Sequence, residues 1–300
     1  MKKKLEFELA QGLLNRTPQI SVDIYYEEYK KDCQFRARST NAREFYEVKK
    51  FLEFVGRKNI SDITQEDIRR YLARFEKMSA KTYNGARISL KRFFRPAIER
   101  GYITKHPCDG TRNQKISQAL PHFFTDEEFE KIEQEAAKMI DSCVFPMILV
   151  ARYTGLRLGE LLALDWEDFD WKNNVVKVLN KPFHTVKNRL CRVVPISDDL
   201  RERILPYIKL SGICFPKRKG GRFEHEGPRR DLRKIFRAVG IPAKARKGWH
   251  EFRHTFASRL VQEGMRLEEI MLWMGHSSMQ VTLIYAHFAP GYHSGIEKLA

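Results

Sequence analysis

Apolar positions in the first hundred residues recur at three- and four-residue intervals. Phe45, Val48, Phe51, Leu52 and Val55 fall on one side of a helix expected over 41–55, and Gly56 is placed to end it. Thr64 and Asp67 have the spacing of a capping box, opening a helix that carries Ile68, Tyr71, Leu72 and Phe75. A longer helix is expected from Lys81 to Arg100, stopping at Gly101, with Pro96 kinking it or splitting off its last turn. No strand-like alternation occurs in this stretch. The front of the chain therefore reads as a small all-helical domain.

Between Gly101 and Leu120 the periodicity fades, and Pro107, Gly110 and the polar run 111–118 have the character of a linker. The expected organisation is a helical domain over 1–105, a linker over 106–120 and a second domain over 121–300. The second domain opens with Thr125 as cap and Glu128 reaching back to it. Val175–Leu179 and Cys191–Ile196 are its two strand runs, expected to pair as a small antiparallel sheet. Beyond Asp198 helical spacing returns, with Gly240, Gly264 and Gly275 as stops. The fold class expected is mainly α, with a small antiparallel β-sheet in the C-terminal domain.

Composition narrows the partner. Of 300 residues, 55 are Lys or Arg and 38 Asp or Glu, a net charge of +17 that points to a polyanion, for which nucleic acid is the usual case. The excess is stronger in front: residues 1–120 hold 26 basic and 15 acidic side chains. A hydrophobic fraction of 42% is enough for a packed core and excludes a disordered basic tail. The longest apolar run, Cys143–Ala151, is far shorter than the ~20 residues of a membrane span. The basic start at Lys2–Lys4 runs into Glu6 and Glu8 without an apolar signal segment, so a cytoplasmic protein is expected. Five scattered cysteines without a C-x-x-C pair suit neither a disulfide framework nor a zinc knuckle.

Four segments hold unusual residue combinations. In the first, Arg157 sits among apolar neighbours with Glu160 one helical turn on. An arginine in such surroundings is costly unless it meets an anion, although a structural Arg–Glu pair is the plainer reading. The second segment carries Lys187 at the tip between the two strand runs, where a solvated lysine is the ordinary finding. The third runs from His250 through Glu251, Arg253 and His254. It satisfies the two-histidine zinc pattern H-E-x-x-H, but no third histidine follows at the extended spacing, and Glu263, Glu268 and Glu269 are the remaining candidate ligands. The fourth has Gly275 as a helix cap, His276 on the following turn, and Tyr285 near the end of the next helix.

Taken together and in this order, Thr154-Gly155-Leu156-Arg157-x-Gly159-Glu160, Lys187, His250-x-x-Arg253, Gly275-His276 and Tyr285 resemble the signature of the tyrosine recombinases, the phage integrase family. The resemblance spans about 120–295, and the basic helical front is similar to that family's core-binding domain. It implies a two-domain clamp around duplex DNA and a phosphoryl transfer that needs neither metal, ATP nor other cofactor. Arg157 and Arg253 would grip the non-bridging phosphate oxygens through charged donors. His276 would add another donor, and Tyr285 would attack to form a 3′-phosphotyrosine. His250 would accept the phenolic proton, and Lys187 would protonate the 5′ leaving group, with Lys181 as a fallback. Glu160 would orient a cationic neighbour. An arginine beside the H-E-x-x-H histidines would repel a divalent cation, which weighs against the zinc reading.

The resemblance further implies a homotetramer on two DNA sites, with a C-terminal segment passed between subunits and Ile296 and Leu299 as apolar anchors. Candidate phosphate-positioning cations are Lys81, Lys91, Arg92, Arg95, Arg229, Arg230 and Lys244. Two alternatives stand beside the recombinase: a DNA-binding protein on the same scaffold that does not cleave, and a type IB topoisomerase.

Overall fold

The computed structural model describes residues 19–290 apart from 37, 57, 117–121, 187–189 and 243–247. The chain divides into two compact units, residues 1–118 and 119–300. In the first, α1 (Val22–Asp32), α2 (Arg38–Val55), α3 (Gln65–Ala73) and α4 (Ala80–Glu99) surround an aromatic core. The α3 start has the capping box expected of Thr64 and Asp67, and α2 ends at Gly56 with φ +62°. Tyr25, Tyr29, Phe51, Phe93 and Phe94 are fully buried, and their rings meet edge to face at 5.0–6.0 Å. Each such contact adds about 1 kcal/mol to the burial itself. Glu44, buried among them, accepts from the Tyr29 hydroxyl and is neutralised by Arg36 at 2.8 Å and Arg92 at 3.1 Å.

Two local expectations change here. Pro96 does not split α4, which runs as one helix to Glu99; Phe93, Phe94 and Ala97 are all buried, and the Tyr25 hydroxyl donates to the Phe93 carbonyl at 2.6 Å, beside the gap in the helical ladder. The polar stretch expected as a linker is tied to α4. Asn84 and the Gln114 backbone exchange hydrogen bonds of 2.9 and 2.8 Å, and Arg87 donates to Thr111 and Asn113.

The second unit opens with α5 (Asp126–Ala137), capped by Thr125 and Glu128 as expected. Its centre is α6 (Val144–Thr154), apolar on nearly every side and packed against α5 and two later helices, α8 (Asp198–Ile204) and α10 (His250–Gln262). The short α7 (Leu158–Ala163) follows at once. β1 (Phe169–Asp170), β2 (Val175–Val178) and β3 (Arg192–Pro195) form an antiparallel sheet in that order, with Val176 opposite Val194 and Val178 opposite Arg192. β1 is too short to show as a sequence pattern. α9 (Glu226–Ala238) packs against α5 and α6. α11 (Leu267–Met274) and α12 (Met279–Leu283) complete the unit, with Gly275 between them in the left-handed region. Among the described residues no helix is long and apolar enough to cross a membrane. Ile296 and Leu299 lie outside the described residues.

Gly155 ends α6 at φ +61°, and a Cβ placed on it would lie 2.4 Å from the Phe256 ring. Gly155→Ala combines left-handed strain with overpacking and is expected to cost about 3 kcal/mol. Gly264→Ala shares the positive φ but meets nothing within 4 Å, and is expected to cost about 1 kcal/mol. Thermal melting of the two variants checks this; equal losses would remove the close approach as the cause.

Candidate active site

The turn between α6 and α7 sets the first cation. Arg157 is the residue before α7, with extended backbone, so its N–H is unused by the helix and donates to Glu160 Oε2 at 2.8 Å. The same carboxylate accepts from Arg157 Nη1 at 3.0 Å. The expected one-turn pairing is therefore present, and it orients the guanidinium.

The C-terminus of α11 gathers the rest. The last carbonyls of a helix have no partner within it and carry the negative end of its dipole. Here three consecutive ones each receive an arginine. Trp273 O accepts from Arg192 Nε at 2.7 Å, Met274 O from Arg253 Nη2, and Gly275 O from Arg157 Nη2 at 3.2 Å. Arg253 also donates to Gly155 O at 2.9 Å, and its side chain is only 2% exposed. Arg192 closes the cluster by gripping both Glu160 oxygens, at 3.0 and 2.7 Å. Gly275 has φ +61°, and a Cβ there would come within 3.1 Å of the Arg192 side chain, so the glycine serves both the turn and the arginine.

These contacts decide the charge states. Burial pushes the Glu160 carboxyl up, but the bonds and charges of Arg192 and then Arg157 outweigh it and hold it down at about 2. Burial, then the neighbouring Arg157, pushes the Arg253 guanidinium down, though it stays a cation at neutral pH.

His276 follows Gly275 directly, and its Nδ1 lies 2.9 Å from the Thr282 hydroxyl. Burial, then Arg253 and Arg157, pushes it down to about 3, so the ring is neutral at working pH. The Tyr285 ring is parallel to it, with centroids 6.5 Å apart. Tyr285 sits just past α12, buried, and burial raises its hydroxyl to about 12 against the opposing charge of Arg253. The imidazole in contact with that hydroxyl is His254, at 2.6 Å from Nδ1, rather than His250 as expected. His250 is one ring away, edge to face with His254 at 4.6 Å. The reason is helical geometry: position 254 lies one turn along α10 from 250.

Arg157, Glu160, Arg253, His276 and Tyr285 thus converge, with His250 packed against His254 and near enough to act on the charge of His276. Arg157 and His250 also line a cavity of about 420 Å³, with Arg229, Arg233, His225 and Trp249 on its walls. Lys187 and Lys244 lie outside the described residues. The fallback Lys181 is committed elsewhere: its ammonium contacts Asp165 at 2.7 Å, Asp168 and the Ala163 carbonyl. Lys81, Lys91, Arg92, Arg95, Arg229 and Arg230 are exposed, with Arg92 paired to Glu44 and Arg95 to Glu99. Among the H-E-x-x-H residues, Glu251 is fully buried and faces His122 at 3.2 Å. Among the described residues no three His, Cys, Asp or Glu side chains are grouped to hold a metal ion.

Sequence reasoning missed Arg192 and gave His254 no role of its own. For Arg192 a signal existed. Alternation in β3 puts position 192 on the same face as the buried Val194, where a charged residue asks for a buried partner.

Comparison with known proteins bears on the family and the fold. Residues 122–291 match the model of the phage integrase family, and 26–104 match its N-terminal SAM-like domain. A XerC-like tyrosine recombinase of Caldanaerobacter subterraneus subsp. tengcongensis is 30% identical over 284 residues, covering 79% of this chain and 70% of its own. Lambda integrase shares the fold at 21% identity, as a dimer bound to a core site (TM-score 0.76, 92% of this chain and 80% of that one) and as a tetramer bound to a Holliday junction (TM-score 0.73, 90% and 81%). The motifs, the fold and these matches agree: the chain belongs to the phage integrase family of tyrosine recombinases.

Proposed function

We propose that this protein is a site-specific DNA recombinase that cuts and rejoins duplex DNA through a covalent 3′-phosphotyrosine. The observation that carries this reading is the meeting of Tyr285 with two arginines and a neutral histidine in one buried cluster. The net charge of +17 and the exposed cations of both units suit a DNA partner bound largely through phosphates. The division into a DNA-binding domain over 1–105, a linker over 106–120 and a catalytic domain over 121–300, the clamp around DNA and the tetramer on two sites belong to the same proposal.

In the proposed reaction the scissile phosphate meets Arg157 and Arg253, whose charged donors stabilise the negative charge that builds on its non-bridging oxygens. Each preorganised donor of this kind is commonly worth about 3 kcal/mol. His276 adds one neutral N–H. When Thr282 donates to Nδ1, that proton sits on Nε2. Tyr285 Oη attacks phosphorus, and the bond from phosphorus to the 5′ oxygen breaks. A phenol held near pKa 12 needs a proton acceptor at the moment of attack, and His254 Nδ1 is already in contact with it. His250, next to His254 and on the wall of the cavity beside Arg157, is the second acceptor in line. Lys187 protonates the departing 5′ oxygen. Rejoining runs the same steps backwards, so the bond energy stays in the phosphotyrosine and neither ATP nor a metal is consumed.

A duplex selected from random-sequence DNA, nicked at successive positions across its footprint, tests the reading. The wild type is expected to give a covalent protein–DNA adduct that Tyr285→Phe abolishes. Binding without any adduct points instead to a non-cleaving protein. Relaxation of a plasmid that lacks paired sites points to a topoisomerase.

Lys187→Ala is expected to slow cleavage at least 100-fold with an oxygen leaving group but far less with a 5′ bridging sulfur, which leaves without a proton. Equal losses on both substrates would remove Lys187 from the acid role. Burial and the charges of Arg253 and Arg157 hold the His276 imidazole neutral in the DNA-free protein; if it stays neutral on the phosphate, His276→Gln, which keeps a neutral N–H, is expected to retain more cleavage rate than His276→Ala. Neither is expected to alter the pH profile between 5.5 and 8. Loss of an ionisation near pH 6 in both variants would overturn the neutral assignment.

A further inference from the structure

We infer that Arg192 is a positioning residue for strand cleavage: it holds Glu160, and through Glu160 the catalytic guanidinium of Arg157, in the pose the phosphate requires. The inference rests on the cleavage reading above. Arg192 gives its donors to the protein: Nε bonds the Trp273 carbonyl, and Nη1 and Nη2 bond the two Glu160 oxygens. Its position on β3 opposite Val178 aims it into the core between α7 and the end of α11.

The charge balance around Glu160 gives Arg192 its task. Glu160 carries one negative charge and is buried, and two guanidiniums share it. Arg192 takes both oxygens through its planar fork, while Arg157 makes one side-chain contact at 3.0 Å and turns its other nitrogen to Gly275 O. With Arg192 in place, most of the carboxylate's charge is met from the side away from the phosphate, and the charge of Arg157 remains available. Without it, Arg157 is the cation still bonded to the buried carboxylate among the described residues. The fork of Arg157 then closes on both oxygens, leaves the Gly275 carbonyl and turns from the phosphate.

Arg192 also bonds the Trp273 carbonyl, three residues before His276, so the same side chain steadies the turn that presents that histidine. A lysine offers one compact charge in place of the fork and Nε, and cannot hold the carboxylate and the carbonyl in the same geometry.

The test is single-turnover adduct formation on the nicked duplex at saturating DNA. Arg192→Gln is expected to be 10- to 100-fold slower, with the Kd for uncut duplex within about twofold of wild type, since a small misplacement of a catalytic group costs rate and not binding. Arg192→Lys is expected to recover part of that loss. It carries the comparison if Arg192→Gln does not fold, and is then expected to be slower than wild type at unchanged Kd. In a Glu160→Gln background, Arg192→Gln is expected to cost less than threefold more.

A wild-type rate for Arg192→Gln and Arg192→Lys, a loss confined to Kd, or an undiminished loss in the Glu160→Gln background would each overturn the inference. A crystal structure of Arg192→Gln, or of Arg192→Lys if only that variant folds, reads the pose of Arg157 whether or not the protein cuts DNA. Arg157 gripping both Glu160 oxygens is expected; Arg157 still bonded to the Gly275 carbonyl overturns the inference. A wild type that forms no adduct counts against the cleavage reading, while the crystal structure still decides the role of Arg192 toward Arg157.

Discussion

Two buried guanidiniums, Arg192 and Arg253, and a third, Arg157, on the cavity wall repel one another, and the second unit is organised around cancelling that repulsion. One carboxylate, Glu160, and three successive carbonyls at the end of α11 do it together. The carbonyls cost little to recruit, because a helix terminus leaves them without partners in any case. The helix end contributes partial negative charge without adding a second carboxylate, which would draw the arginines fully into ion pairs. The cluster therefore keeps a net positive character while every cation has a hydrogen-bond partner.

The backbone follows from this arrangement. Gly155 brings the end of α6 close enough for its carbonyl to meet Arg253, and Gly275 leaves room for Arg192 against the α11 turn. Both need the left-handed region, and both have a side chain where a Cβ would go. α6 supplies the rigid floor because it is buried along nearly its whole length. Tyr285 follows α12, so the nucleophile proposed here and the cations it needs come from separate segments of the unit.

Much of this is legible in the chain because it depends on short-range chemistry. The capping pairs Thr64–Asp67 and Thr125–Glu128 and the stops at Gly56 and Gly275 each act over a few residues. Arg157 with Glu160 is legible for the same reason. What local pattern does not carry is pairing across distance. Arg192 meets Glu160 across 32 positions and Trp273 across 81. His254 was visible as a residue, but its contact with Tyr285 spans 31 positions. β1 is two residues long and has no periodicity to read. Pro96 was expected to kink α4 or split off its last turn, and that turn stays part of the helix, with Phe93, Phe94 and Ala97 buried beside it.

The depth of Arg192 and Arg253 also separates two effects of ionic strength. Mobile ions screen exposed charges over about 10 Å in ordinary buffers, but they do not enter a packed interior. Lys81, Lys91 and Arg229 are open to such screening, whereas the guanidinium of Arg253 is enclosed by backbone carbonyls. Added electrolyte therefore weakens the encounter with a polyanion and leaves the field inside the cluster nearly untouched.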